Sequence, residues 1–116
     1  MSIRVEVTDD LGGLARAVDF DRADVSRMAE AARRGMIPFV PIDTGGLVRS
    51  GSVNGDEVAY TASRGGREPY ASYVHAMSQG RIKVGGRFAQ WPEHYESTGM
   101  PEVMEEVGRI VESKRV

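Results

Sequence analysis

The sequence has no cysteine. Disulfide frameworks, thiol catalysis and cysteine-based zinc sites are therefore excluded, and folding is expected to be indifferent to redox compartment. Long hydrophobic runs are also absent. Nothing approaches the roughly 20 apolar residues of a membrane-spanning helix, so no membrane association is expected. The opening residues MSIRVEVTDD lack the apolar centre and cleavage site of a secretory signal. Histidine occurs only at His75 and His94, too far apart in sequence for a helical metal-binding pair. No Gly-x-Ser-x-Gly elbow is present. The Arg64-Gly65-Gly66-Arg67 run lacks the Gly-Lys-Ser/Thr ending of a phosphate loop. Neither a cofactor nor a metal is expected.

What is present belongs to an ordinary globular chain. With 116 residues, 41% hydrophobic and 28% charged, it is expected to form one domain over 1–116 with one modest core. Fourteen glycines point to many turns. The formal net charge of −2 is unevenly spread. Between Ser63 and Gln90 stand Arg64, Arg67, Arg81, Lys83 and Arg87 against Glu68 alone, a local +4 that leaves −6 elsewhere. A weakly acidic body with a basic, glycine-rich and mobile excursion over about 63–90 is the main compositional clue to partners.

Hydrophobic periodicity supplies the elements. Ile3, Val5 and Val7 alternate with polar residues and predict a half-buried strand. Leu11, Leu14 and Val18 start a helical spacing that Gly12 and Gly13 weaken. The stronger helix runs from Arg22 to Arg34, with Val25, Met28, Ala29, Ala32 and Met36 as its buried stripe and Gly35 as terminator. Pro38 to Ile42 reads as an extended connector, and Asp43-Thr44-Gly45-Gly46 as a structural turn. Asn54-Gly55 between two β-prone runs predicts a hairpin. Tyr70, Tyr73, Val74 and Met77 fit either helix or strand. Ile82 and Val84 suit a small hairpin between glycines. A last helix spans Pro101 to Arg115, its apolar stripe made by Val103, Met104, Val107, Ile110 and Val111.

Asp43-Thr44-Gly45 is also the signature of retroviral-type aspartic proteases, short homodimers in which two aspartates share a proton and activate water. Val107-Gly108-Arg109 faintly echoes their C-terminal apolar stretch. That chemistry needs an aspartate delivered by a strand in a nearly all-β chain. Here Pro41 interrupts the strand and a helix precedes it, so a structural turn is the preferred reading. Trp91, with Phe88 and Tyr95 nearby, could be a stacking platform for bases, but such a cluster more often closes a small core. Arg81, Lys83 and Arg87 would then contact phosphates; the negative net charge argues against a dedicated nucleic-acid module.

The order of these features resembles a known family. Phe39 to Ser50 resembles the V-P-x-D-T-G-x-L-x-x-S stretch of phage minor capsid and tail-completion proteins, which act at the head–tail junction of long-tailed phages. Pro69-Tyr70-Ala71-Ser72-Tyr73-Val74-His75 resembles their Pro-Tyr-Ala-x-Tyr-Val-His segment, and a Trp-bearing segment and a C-terminal helix follow in order. The resemblance covers the chain from about Arg22 onward. Ala76 to Gln79 intervene where the family pattern promptly has glycine. The resemblance implies an α+β fold with N-terminal and C-terminal helices packed on a small antiparallel sheet. It also implies a non-enzymatic virion subunit, made in the host cytoplasm, that joins copies of itself in a ring. Other phage head, neck or tail proteins would be its partners, with non-specific contact to packaged DNA. Interface residues on that reading are Tyr70, Tyr73, His75 and Trp91, with Arg64, Arg67, Arg81, Lys83 and Arg87 meeting acidic faces or DNA backbone.

Overall fold

The computed structural model describes residues 2–4, 20–41, 46–64, 68–77, 79, 82 and 85–114. It is an α+β fold: helices pack on a small antiparallel sheet. The expected strand residues Val5 and Val7 and the weak helix over Leu11 to Val18 lie outside the described residues.

The first long helix, α1, spans Arg22–Met36. It begins there because Asp21 and Asp24 cap each other. Asp21 Oδ1 accepts from Asp24 N at 2.8 Å, and Asp24 Oδ2 accepts from Asp21 N at 3.0 Å. Met28, Ala29, Ala32 and Met36 are buried as expected, joined by Ala31, while Val25 is only half-buried. Gly35 does not end the helix. The chain runs through it and tightens into a 3₁₀ turn, Ile37–Phe39, with Pro38 in its first turn. The expected extended connector therefore starts only at Val40, where ψ becomes 128°. Proline suits a first helical turn, where its missing N–H costs nothing.

A four-residue helix, α2 (Gly46–Arg49), comes next; it is too short to carry a periodic signal. The Ser50 hydroxyl donates to Leu47 O at 2.8 Å and closes it. Strand β2 (Gly51–Asn54) and strand β3 (Glu57–Tyr60) form the expected hairpin, shifted by one residue. Asn54 pairs with Glu57, so Gly55 and Asp56 are the turn. Gly55 takes φ 63°, which a two-residue hairpin of this hand requires at its first central position. Strand β1 (Ser2–Arg4) pairs antiparallel on the other side of β3, giving the order β1-β3-β2. Ile3, Val53 and Val58 share one row of this sheet and pack with the core beside α1.

Two short strands, β4 (Ser63–Arg64) and β5 (Glu68–Pro69), pair antiparallel and lead into α3 (Tyr70–His75). That settles the ambiguous Tyr70–Met77 stretch as helix through His75. Helix α4 (Trp91–Ser97) is closed by Gly99 at φ 85° and Met100 at φ 49°, which turn the chain into α5 (Pro101–Ser113).

Helix α5 lies along α1 and buries Val103, Val107 and Ile110. Met104, expected in the stripe, is 40% exposed. Glu106 takes the inner place instead. It stays ionised because two arginines meet it there: Arg27 Nε at 2.8 Å on Oε1 and Arg109 Nη1 at 2.8 Å on Oε2. Burial pulls its pKa up, but Arg109 and Arg27 outweigh that and hold it below the ordinary 4.5. At the other end of the pair, Lys114 Nζ meets Asp24 Oδ2 at 2.8 Å. That hydrogen bond is the chief reason Asp24 titrates below its usual 3.8.

Both carboxyls have folded pKa values below their unfolded ones. Their stabilisation is therefore complete above the unfolded pKa and is lost as pH falls through the folded pKa. Glu106→Gln is expected to cost about 1.5 kcal/mol at neutral pH, because charged hydrogen bonds are lost while the half-exposed arginines return to water. It should also flatten the fall of stability below about pH 4.5. Urea titrations across the acid range check both effects; an unchanged acid limb would remove Glu106 from this account.

Candidate functional site

Five residues of the sequence motifs described above converge inside the molecule. Val40, Leu47, Ala71, Val74 and Trp91 all belong to one buried cluster with the inner faces of α1, α5 and β3. Trp91 lies at its centre, with no exposed surface. It meets Tyr60 edge-on at 5.3 Å and 79° and His75 at 5.7 Å and 89°. Its indole N–H has no partner in hydrogen-bond geometry. The expectation that Trp91 anchors an interface is therefore corrected: the ring is consumed by this chain's own core, and it stacks no bases.

Above that core, residues 85–90 are strapped to the body by side chains that satisfy backbone groups. Phe88 N donates to Phe39 O at 2.8 Å. Gln79 is anchored at both amide atoms, donating to Arg87 O at 2.8 Å and accepting from Ala89 N at 2.9 Å. Gln90 Nε2 donates to His75 O at 2.7 Å and Met77 O at 3.2 Å. These bonds hold an irregular segment without secondary structure, because its backbone groups find their partners in side chains and other segments. Neither glutamine carries a local sequence signal, since both act on residues that folding brings near.

Four rings and a guanidinium gather at this strap. Phe88 stacks on His94, centroids 3.6 Å apart and 10° from parallel, and Phe39 meets both rings at an angle. His75 Nε2 faces the Glu93 carboxylate at 2.9 and 3.0 Å, tying α3 to α4. Arg87 Nη1 donates to Ile37 O at 2.6 Å and Val40 O at 3.2 Å, capping the carbonyls of the 3₁₀ turn. Sequence reasoning named His75 and Arg87 but missed Phe39, Phe88, Gln90 and Glu93 as their neighbours.

Tyr70 and Tyr73 lie on α3, and Arg64 lies on β4. Asp43, Thr44, Gly45, Arg67, Arg81 and Lys83 lie outside the described residues, as does the expected hairpin position Val84. The protease reading finds no support in its surroundings: a helix and a 3₁₀ turn precede Asp43, and Val107-Gly108-Arg109 sits inside α5.

Chemically, the strap offers recognition groups. Among the described residues the hydrogen-bond partner of the His75 ring is Glu93, and no serine or threonine hydroxyl joins that pair. Among them, too, no three or more His, Asp or Glu side chains form a metal cluster, and no helix is long and apolar enough to cross a membrane. No family model, curated protein or solved structure matches this chain.

Proposed function

We propose that this protein is a structural subunit of the head–tail junction of a long-tailed phage, acting by ring assembly. One observation carries the reading. Five of the residues that carry the resemblance, Val40, Leu47, Ala71, Val74 and Trp91, are core residues of a single cluster. Ser50, the last residue of the first stretch, closes α2 by bonding Leu47 O. Such a pattern specifies a fold, as an assembly subunit requires. The α+β arrangement of helices on a small antiparallel sheet is the one the resemblance implies.

The partners on this reading are further copies of the chain and adjoining head, neck or tail proteins. Cryo-electron microscopy of particles carrying this chain tests it. The expected result is a symmetric ring of this fold at the head–tail junction. A chain missing from every mature particle overturns the proposal.

A further inference from the structure

Arg87 is a cation whose charge is met by carbonyls instead of a carboxylate. Its Nη1 is fixed by Ile37 O and Val40 O, and the next residue, Phe88, is clamped by its own N–H to Phe39 O and by its ring to His94. Among the described residues nothing binds Nε or Nη2. Those two nitrogens form the side-on fork that Arg33 uses on both oxygens of Glu30. Among the described residues the Arg22 and Arg34 side chains also form no hydrogen bond or close ion pair, but both are exposed on α1. Arg87 is half-buried and held. A held guanidinium loses little further entropy on binding, and its fork matches a carboxylate in two-point geometry.

We infer that the Nε/Nη2 fork of Arg87, on the strap that also carries the ring of Phe88, is a docking site for a carboxylate of a second copy of this chain. The inference rests on the connector reading for its choice of partner. Charge points the same way, because the chain outside residues 63–90 carries −6. The described carboxylates are mostly used at home, on capping, lysine, arginine or histidine partners. Glu96 on α4 is exposed and has no side-chain partner among the described residues, so it is a carboxylate free to fill the fork. The half-buried Phe39, Phe88 and His94 rings cluster near the same strap, and aromatic residues and arginine are enriched at the centres of protein interfaces. A DNA phosphate suits the fork less well, since DNA affinity comes from many exposed cations acting together.

The test is self-association of the full chain by sedimentation velocity at low salt, for wild type, Glu96→Lys, Arg87→Gln and Arg87→Lys. Glu96→Lys alters an exposed side chain, so circular dichroism should show the fold intact. Wild type is expected to associate. Glu96→Lys and Arg87→Gln should each weaken association by about tenfold or more, and Arg87→Lys should restore only part of it, since lysine lacks the fork. Association that is unchanged by Glu96→Lys and Arg87→Gln overturns the contact. A wild type that stays monomeric overturns it as well. Unchanged association with DNA binding that falls in Arg87→Gln overturns it in favour of a phosphate site. None of these results decides the connector reading, which stands or falls on the ring in particles.

Discussion

Gly35→Ala should destabilise this protein by about 3 kcal/mol, the reverse of what helix propensity alone gives. In the interior of a free helix, alanine is better than glycine by about 1 kcal/mol. Here α1 presents Gly35 to the ring of Tyr95. A Cβ built on Gly35 would fall well inside van der Waals contact of Tyr95 Cε1 and Cζ, and 2.5 Å from Glu102 Oε2. Tyr95 cannot swing aside, because it is 1% exposed. Its hydroxyl lies 3.4 Å from Val103 N, at the start of α5. Burial raises the pKa of that phenol, and the adjacent Glu102 carboxylate adds to the effect. The only relief is separation of α1 from α4. A urea titration followed by Trp91 emission reads the loss, and the melting temperature should drop by about 10 °C or more. Tyr95→Leu in the same chain should recover part of the loss, since the two changes share one clash. A Gly35→Ala variant as stable as wild type would sink the close packing of α1 on α4.

Trp91→Ala should be more damaging still. Removing a wholly buried large aromatic leaves a void and forfeits its packing, at a typical cost of about 3–5 kcal/mol. Native domains hold only about 5–15 kcal/mol in all, so the variant should be partly unfolded near physiological temperature. The edge contacts to Tyr60 and His75 go with it. Burial beside that ring lifts the pKa of the Tyr60 phenol to about 12. The measurement is a thermal melt of the free protein by far-ultraviolet circular dichroism. A Trp91 that served as an exposed anchor would leave this melt untouched and affect assembly alone. Trp91→Phe is expected to cost only about 1 kcal/mol, because it also removes a buried donor that lacks a partner.

The elements that could be read from the sequence were those with strong periodicity and local punctuation. Asp21 before the Met28–Met36 stripe marked the start of α1, and Pro101 marked α5. Asn54-Gly55 marked the hairpin to within one residue. The errors have a common origin. Gly35 looked like a terminator because local propensity disfavours glycine in helices, whereas a ring from a distant segment needs the space. Met104 and Glu106 exchanged their expected roles because Arg27, on another helix, supplies the charge that lets a carboxylate sit inside. Trp91 closes the core, as its aromatic neighbours along the chain suggest, and not an interface, as the resemblance implies. The strap residues Gln79 and Gln90 carried no signal, since each satisfies backbone groups on other segments.

By itself the sequence determined the absence of thiol chemistry, the α+β class, the two long helices and the hairpin, because composition and short-range periodicity depend only on neighbours along the chain. Tertiary structure alone decided the rest. It put five motif residues into one core, closed α1 against Tyr95, and set carbonyls on one side of the Arg87 guanidinium while no described residue binds its other two nitrogens. Those outcomes depend on which distant groups meet, and burial and hydrogen-bond satisfaction act on side chains only after the backbone has brought them together.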